Sequence, residues 1–126
     1  MRILALYGEQ VYGVFSSTTE LEGKTYKAMV NLEGGTFMIM VGESEADEPA
    51  YMALGTYTVK KDMMTTIEFT TTELYTDTTM SQAVTDIPPE LAAISAPVAD
   101  SGINVELPYD LDDSTVLGYQ LVKIAY

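Results

Sequence analysis

"TYKAMVNLEGGTFMIMVG", residues 25–42, decides the fold. In its first half apolar and polar residues alternate: Tyr26, Ala28, Val30 and Leu32 fall on one face, Thr25, Lys27 and Asn31 on the other. Successive side chains of a strand point to opposite faces, so this half reads as a half-buried strand. Glu33, Gly34 and Gly35 follow. Residues that accept positive φ let the chain turn straight back, and the stretch becomes a hairpin. The returning strand breaks the alternation, because Phe37, Met38, Ile39, Met40 and Val41 are apolar without interruption. Both of its faces therefore ask for cover, by a ligand, by a partner chain or by more of the same protein.

Outward from this hairpin the same grammar continues. "GESEADEP" (42–49) makes an acidic loop, and "AYMALGTYTV" (50–59) is a strand with Tyr51, Ala53, Tyr57 and Val59 on one face and Gly55 in mid-strand, the mark of a bulge or bend. "KKD" (60–62) turns again, and "TTIEFTTT" (65–72) points Ile67 and Phe69 inward with Glu68 and Thr70 outward. The consecutive strands form a meander. Between Thr72 and Ala99 the pattern loosens into the Thr-rich "ELYTDTTMSQAVTD" (73–86). A short helix is expected over Ile87–Ser95, with Asp86 as cap, Pro88 and Pro89 in the first turn, Glu90 at the positive end and Pro97 as the stop. Strands resume in "INVEL" (103–107) and in "VLGYQLVKIAY" (116–126), which is long enough to bridge or close a sheet. The last is two-faced, with Leu117, Tyr119 and Leu121 on one side and Val116, Val122 and Ile124 on the other. With "RILALY" (2–7) and "QVYGVF" (10–15) at the front, the count reaches about eight strands. This spacing predicts an all-β fold, an antiparallel meander barrel with one short helix, the alternative being a β-sandwich. No repeat or linker divides the chain, so residues 1–126 read as a single domain.

Composition narrows the function classes. The chain has no Cys and no His, which removes disulfides, thiolate metal sites, the cysteine nucleophile, the usual zinc ligand and the base of a Ser-His-Asp triad. Six Lys and Arg against 19 Asp and Glu give a net charge of -13, which repels nucleic acid and anionic membrane surfaces. At 47% hydrophobic residues the chain is too apolar for disorder. The apolar run at the front, Ile3 to Tyr7, is shorter than a signal-peptide core or a membrane span. A soluble protein is expected; an export signal or lipid anchor trimmed from it would leave no trace in these residues.

Several residue groups invite chemistry and each has a plain structural reading. Met29, Met38, Met40, Met52, Met63, Met64 and Met80 suit either core gaps or a surface that accepts varied apolar shapes. Tyr12, Tyr26, Tyr51, Tyr57 and Tyr119 are good strand formers whose polar tips suit a pocket mouth. "ESEADE" (43–48) and "DLDD" (110–113) lack the spacing of a calcium loop and read as solvated loops. "LEGG" (32–35) is too short for a phosphate cradle and leads into a strand. No catalytic residue, metal site or cofactor is expected, and the chain is read as a non-enzyme. The two-faced strands predict a second buried layer, supplied by the Ile87–Ser95 helix folding across the sheet or by another subunit.

The succession "VNLEGGTFMIM…YMALGTYTVKKDMMTTIEFT" resembles the bacterial lipocalin-like (calycin) small barrels, through Gly35, Thr36 and Phe37, then Gly55, Thr56, Tyr57 and Val59, then Thr66, Ile67 and Phe69. The Gly-x-Trp signature of true lipocalins is absent, "VYGVF" (11–15) being its nearest echo. The resemblance implies an up-and-down barrel with a lumen for an apolar ligand, often on an envelope-associated protein. On this basis the expected function is non-enzymatic binding of an apolar or amphipathic ligand or peptide, with Phe37, Ile39, Tyr51, Tyr57, Ile67 and Phe69 lining the lumen. An acidic decoy, phage-encoded for instance, whose carboxylates imitate nucleic-acid phosphates is the alternative, recognisable by clustering of Glu43, Glu45, Asp47, Glu48, Asp110, Asp112 and Asp113 on one face. A self-assembling structural module, a homo-oligomer, is the third.

Overall fold

The structure, a computed structural model, describes residues 12–99 and 102–125. The strand expected at residues 2–7 lies outside them. Eight strands in chain order close into an antiparallel barrel: β1 (Gly13–Leu21), β2 (Lys24–Glu33), β3 (Thr36–Glu43), β4 (Tyr51–Lys61), β5 (Thr65–Tyr75), β6 (Ala93–Ala99), β7 (Gly102–Asp110) and β8 (Asp113–Ala125). One helix, α1 (Pro89–Ala92), precedes β6. The up-and-down order follows from the short hairpins. Between β2 and β3 the turn residues Gly34 and Gly35 have φ of 60° and 86°, the paired positive values a two-residue hairpin needs to match strand twist. Gly55 marks the bulge between Leu54 and Gly55, where a Cβ would run into the Thr70 carbonyl.

One face of each strand fills the barrel. Phe15, Val30, Leu32, Ile39, Tyr51, Ile67, Phe69, Leu107, Tyr119 and Leu121 belong to a continuous buried cluster. An eight-stranded barrel is just wide enough for side chains to fill, and this one is filled.

The helix is shorter than its composition suggests. It spans Pro89–Ala92, its N-cap Pro88 has no side-chain cap, and Asp86 plays no part in it. Ile94, Ser95 and Pro97, expected within or just beyond the helix, belong to β6, where Pro97 pairs with Thr66 and Ile94 with Phe69. Burial wins over propensity: Ile94 and Ala96 are buried in the barrel, a period-two demand that a continued helix would violate.

The short helix also leaves the second face of β3 to other cover. Leu91 is fully buried, and α1 packs on β5, β6 and β7, so it plugs the barrel instead of crossing the outside of β3. Phe37, Ile39 and Val41 point in, while Met38 and Met40 stay half-buried outside. On that outer face Met29, Met40 and Met52 stand in one cross-strand row. The acidic β3–β4 loop and Thr78 of the β5–β6 connection flank the row, leaving a groove of about 270 Å³ around Met29 and Met40. These loops border part of the outer face of β3, while Val116, Val122 and Ile124 on the outer face of β8 are exposed.

Two seams of the barrel are short. Among the described residues β6 and β7 pair only through Val98↔Ile103 and Ala99↔Gly102, and β1 meets β8 only through Val14↔Ala125, Phe15↔Lys123 and Ser16↔Val122. Both seams lie at the same end, so the long β7–β8 hairpin is fastened at its base and loses both neighbours above it. Its upper part leans into the barrel. β7 approaches β3 across the interior, and the Tyr51 hydroxyl donates to the Pro108 carbonyl at 2.7 Å.

Candidate functional site

A sunken hairpin leaves a concavity on the outside. A trough of about 910 Å³ lies there, its floor the outer face of the β7–β8 hairpin, with Asn104, Glu106, Val116, Gly118 and Gln120. One wall is β6 with the end of α1, through Glu90, Ala93, Ser95 and Pro97; the other is β1, through Ser17, Thr18 and Thr19. Where the seams open, the barrel residues Ile94, Val105 and Tyr119 show at its base. Gly118 is central to the shape: a Cβ there would meet nothing within 4 Å. The lining mixes hydroxyls and amides with short apolar surface. Among the described residues its only ionisable side chains besides Tyr119 are Glu90 and Glu106, and no Lys or Arg lines it. Glu68 holds the hydroxyl of Ser95 at 2.7 Å on the β6 side.

Behind the floor sits a set of phenols. Tyr51 and Tyr119 are almost fully buried, and Tyr51 is satisfied by Pro108. The Tyr119 hydroxyl is buried and has no hydrogen-bond partner among the described residues. Burial pushes the Tyr119 phenol up to about 12, with Tyr26 adding to it, and raises Tyr51 well above its ordinary value with a smaller push from Tyr119. Both are neutral at physiological pH.

The second concavity is the mouth at the end where β1–β2, β3–β4 and β7–β8 connect, about 410 Å³ and lined by Glu22, Lys24, Tyr26, Glu43, Glu48, Tyr109 and Asp110 among others. Topology thus brings the two acidic runs to one end of the barrel. Lys24 approaches Glu43 at 3.9 Å, an exposed pair of small energetic weight. Tyr26 and Tyr109 meet edge to face at 5.2 Å between centroids. The Tyr109 hydroxyl donates to Asp113 at 2.7 Å, which holds the Asp113 carboxyl below its usual value and pushes the Tyr109 phenol up to about 12.

The six side chains expected to line a lumen do converge inside the barrel. Phe37, Ile39, Tyr51, Ile67 and Phe69 are buried and Tyr57 is half-buried. Phe37 and Phe69 stack edge to face at 5.0 Å, and Tyr57 lies 6.4 Å from Phe69. They pack on one another, and none of them lines the trough. The trough residues Ser17, Thr19, Ser95, Asn104, Glu106, Gly118 and Gln120 were not singled out by sequence reasoning, although two signals pointed there. Pro97 inside a strand marks an edge, and Gly118 within an otherwise bulky strand marks a bare spot.

Among the described residues no group of three or more Asp or Glu is arranged to hold a metal ion, and no helix is long and apolar enough to cross a membrane. No family model matches the chain, and neither a curated protein nor a solved structure matches it.

Proposed function

We propose that the protein is a non-enzymatic binding barrel, lipocalin-like in architecture, that takes an amphipathic ligand or peptide on its outer trough. The observation that carries this reading is the trough itself. A barrel wall is ordinarily convex, and here the wall is pressed in to leave about 910 Å³, within the range of ordinary ligand sites. The apolar ligand lumen implied by the calycin resemblance is replaced in this reading, because the residues assigned to it pack on one another. The trough offers hydroxyl, amide and carboxylate groups around short apolar patches, which suits a ligand with both characters. Native mass spectrometry of protein purified from its own cells tests it. A retained small mass on the folded chain is the expected result, and a bare chain under gentle desolvation contradicts it.

A second reading is favoured by a different observation. Glu22, Glu43, Glu48 and Asp110 surround one mouth, which fits docking onto a basic protein surface by charge. Binding that falls steeply with salt and survives obstruction of the trough would favour this mouth.

A further inference from the structure

We propose that the occupant of the trough is an extended peptide segment carrying Lys or Arg, which pairs its backbone with the open edge of β6. The proposal rests on the trough being the binding site and names what it binds. The first support is the state of the β6 backbone. β6 is paired to β5 from Ala93 to Pro97, but its other edge leaves the ladder with β7 after Val98 and Ala99. Among the described residues no register pair joins residues 93–97 to β7. An unpaired strand edge is a template for another strand, and proteins that take extended peptides use such edges for main-chain affinity.

Ala93, Ser95 and Pro97 of that edge line the trough, so the edge and the concavity are one feature. The opposite wall, Ser17 to Thr19, has likewise left its ladder with β8 after Ser16, which keeps the channel open along the barrel. Charge selects the kind of peptide. Glu90 stands at one wall and Glu106 on the floor, no basic residue lines the trough among the described residues, and the chain as a whole carries -13. A basic side chain is drawn in and an acidic one repelled. Small Ala93 and bare Gly118 leave room for backbone to approach closely, as strand addition requires.

A displayed library of random linear peptides, panned against the full chain, supplies the probe. Enriched sequences are expected to be rich in Lys or Arg, and the best of them, made synthetically, is then measured against the wild type, E106K and E90K. Both glutamates face the trough on partly or fully exposed positions, so the fold tolerates reversal. Each reversal is expected to weaken binding about tenfold. Bound peptide is expected to slow amide exchange in β6 and in the facing part of β7. Binding that is weakened by E106K without any slowing in β6 overturns strand pairing while leaving the trough as the site. Peptide that binds with unchanged affinity in E106K and E90K overturns the proposal. A library that yields no binder also overturns it, and the retained-mass measurement on protein from its own cells then decides separately whether the trough binds something else.

Discussion

At the scale of single residues, two tyrosines that sequence cannot distinguish have opposite roles. Tyr51 and Tyr119 are equally buried, yet one hydroxyl reaches the Pro108 carbonyl and the other has no partner among the described residues. A buried unpaired hydroxyl costs free energy, whereas a paired one returns it. Tyr119→Phe is therefore expected to leave stability unchanged or raise it by about 1 kcal/mol, and Tyr51→Phe to lower it by roughly 1–3 kcal/mol in denaturant titrations. The reverse order would contradict the pairing. Gly55 is a steric case: Gly55→Ala drives a methyl into the Thr70 carbonyl and is expected to lose about 2–3 kcal/mol. Asp77 is an electrostatic one. Hydrogen bonds from the Ser81 and Thr79 hydroxyls, and from the Ser81 and Gln82 amides, lower its carboxyl from 3.8 to about 2. A depressed folded value means the carboxylate's contribution is complete above the unfolded value and lost as pH falls between about 3.8 and about 2. The Ser81 and Gln82 amide resonances should titrate with a midpoint near 2, and a midpoint near 3.8 would show the loop bonds to be absent.

At the scale of elements, period two was decisive wherever one face was buried. β2, β5 and β8 could be read off Tyr26 to Leu32, Ile67 to Phe69 and Leu117 to Leu121, because the buried residues there recur at every second position, and β4 off the alternation of its apolar residues although Met52 is buried between Tyr51 and Ala53. β6 could not. "AAISAPV" carries helix-favouring Ala beside Pro, and its alternation of Ile94 and Ala96 is too short to outweigh them without the facing Ile67 and Phe69. The trough was less legible still, since it arises from two seams coming apart, and no residue names a pairing that does not form. Those seams carry a prediction. Amides of β2 and β3, paired along their whole length, should exchange last, while those of β6 and of upper β7 should exchange at least about tenfold faster. Equal protection across the barrel would mean that the seams are closed in solution.

At the scale of the whole molecule, the barrel spends its interior on its own core and presents its concavities outside. Among the described residues twenty-three buried apolar side chains fill the interior or its immediate cover, and the concavities lie at the wall and the mouth. The acidic mouth, the methionine row under the β3–β4 loop and the trough all follow from which connections share an end and which strands let go of their neighbours. The barrel and the short helix before β6 were legible from spacing, because hairpins between alternating strands leave few other closures. The central claim is that the trough is the binding site, and Gly118→Tyr tests it most directly. Its Cβ enters open space on an exposed strand position, so the ring fills the trough without disturbing the core. The account predicts that this variant melts within a few degrees of the wild type and, isolated from the same cells, has lost the mass the wild type retains. A folded variant that retains that mass unchanged would contradict it.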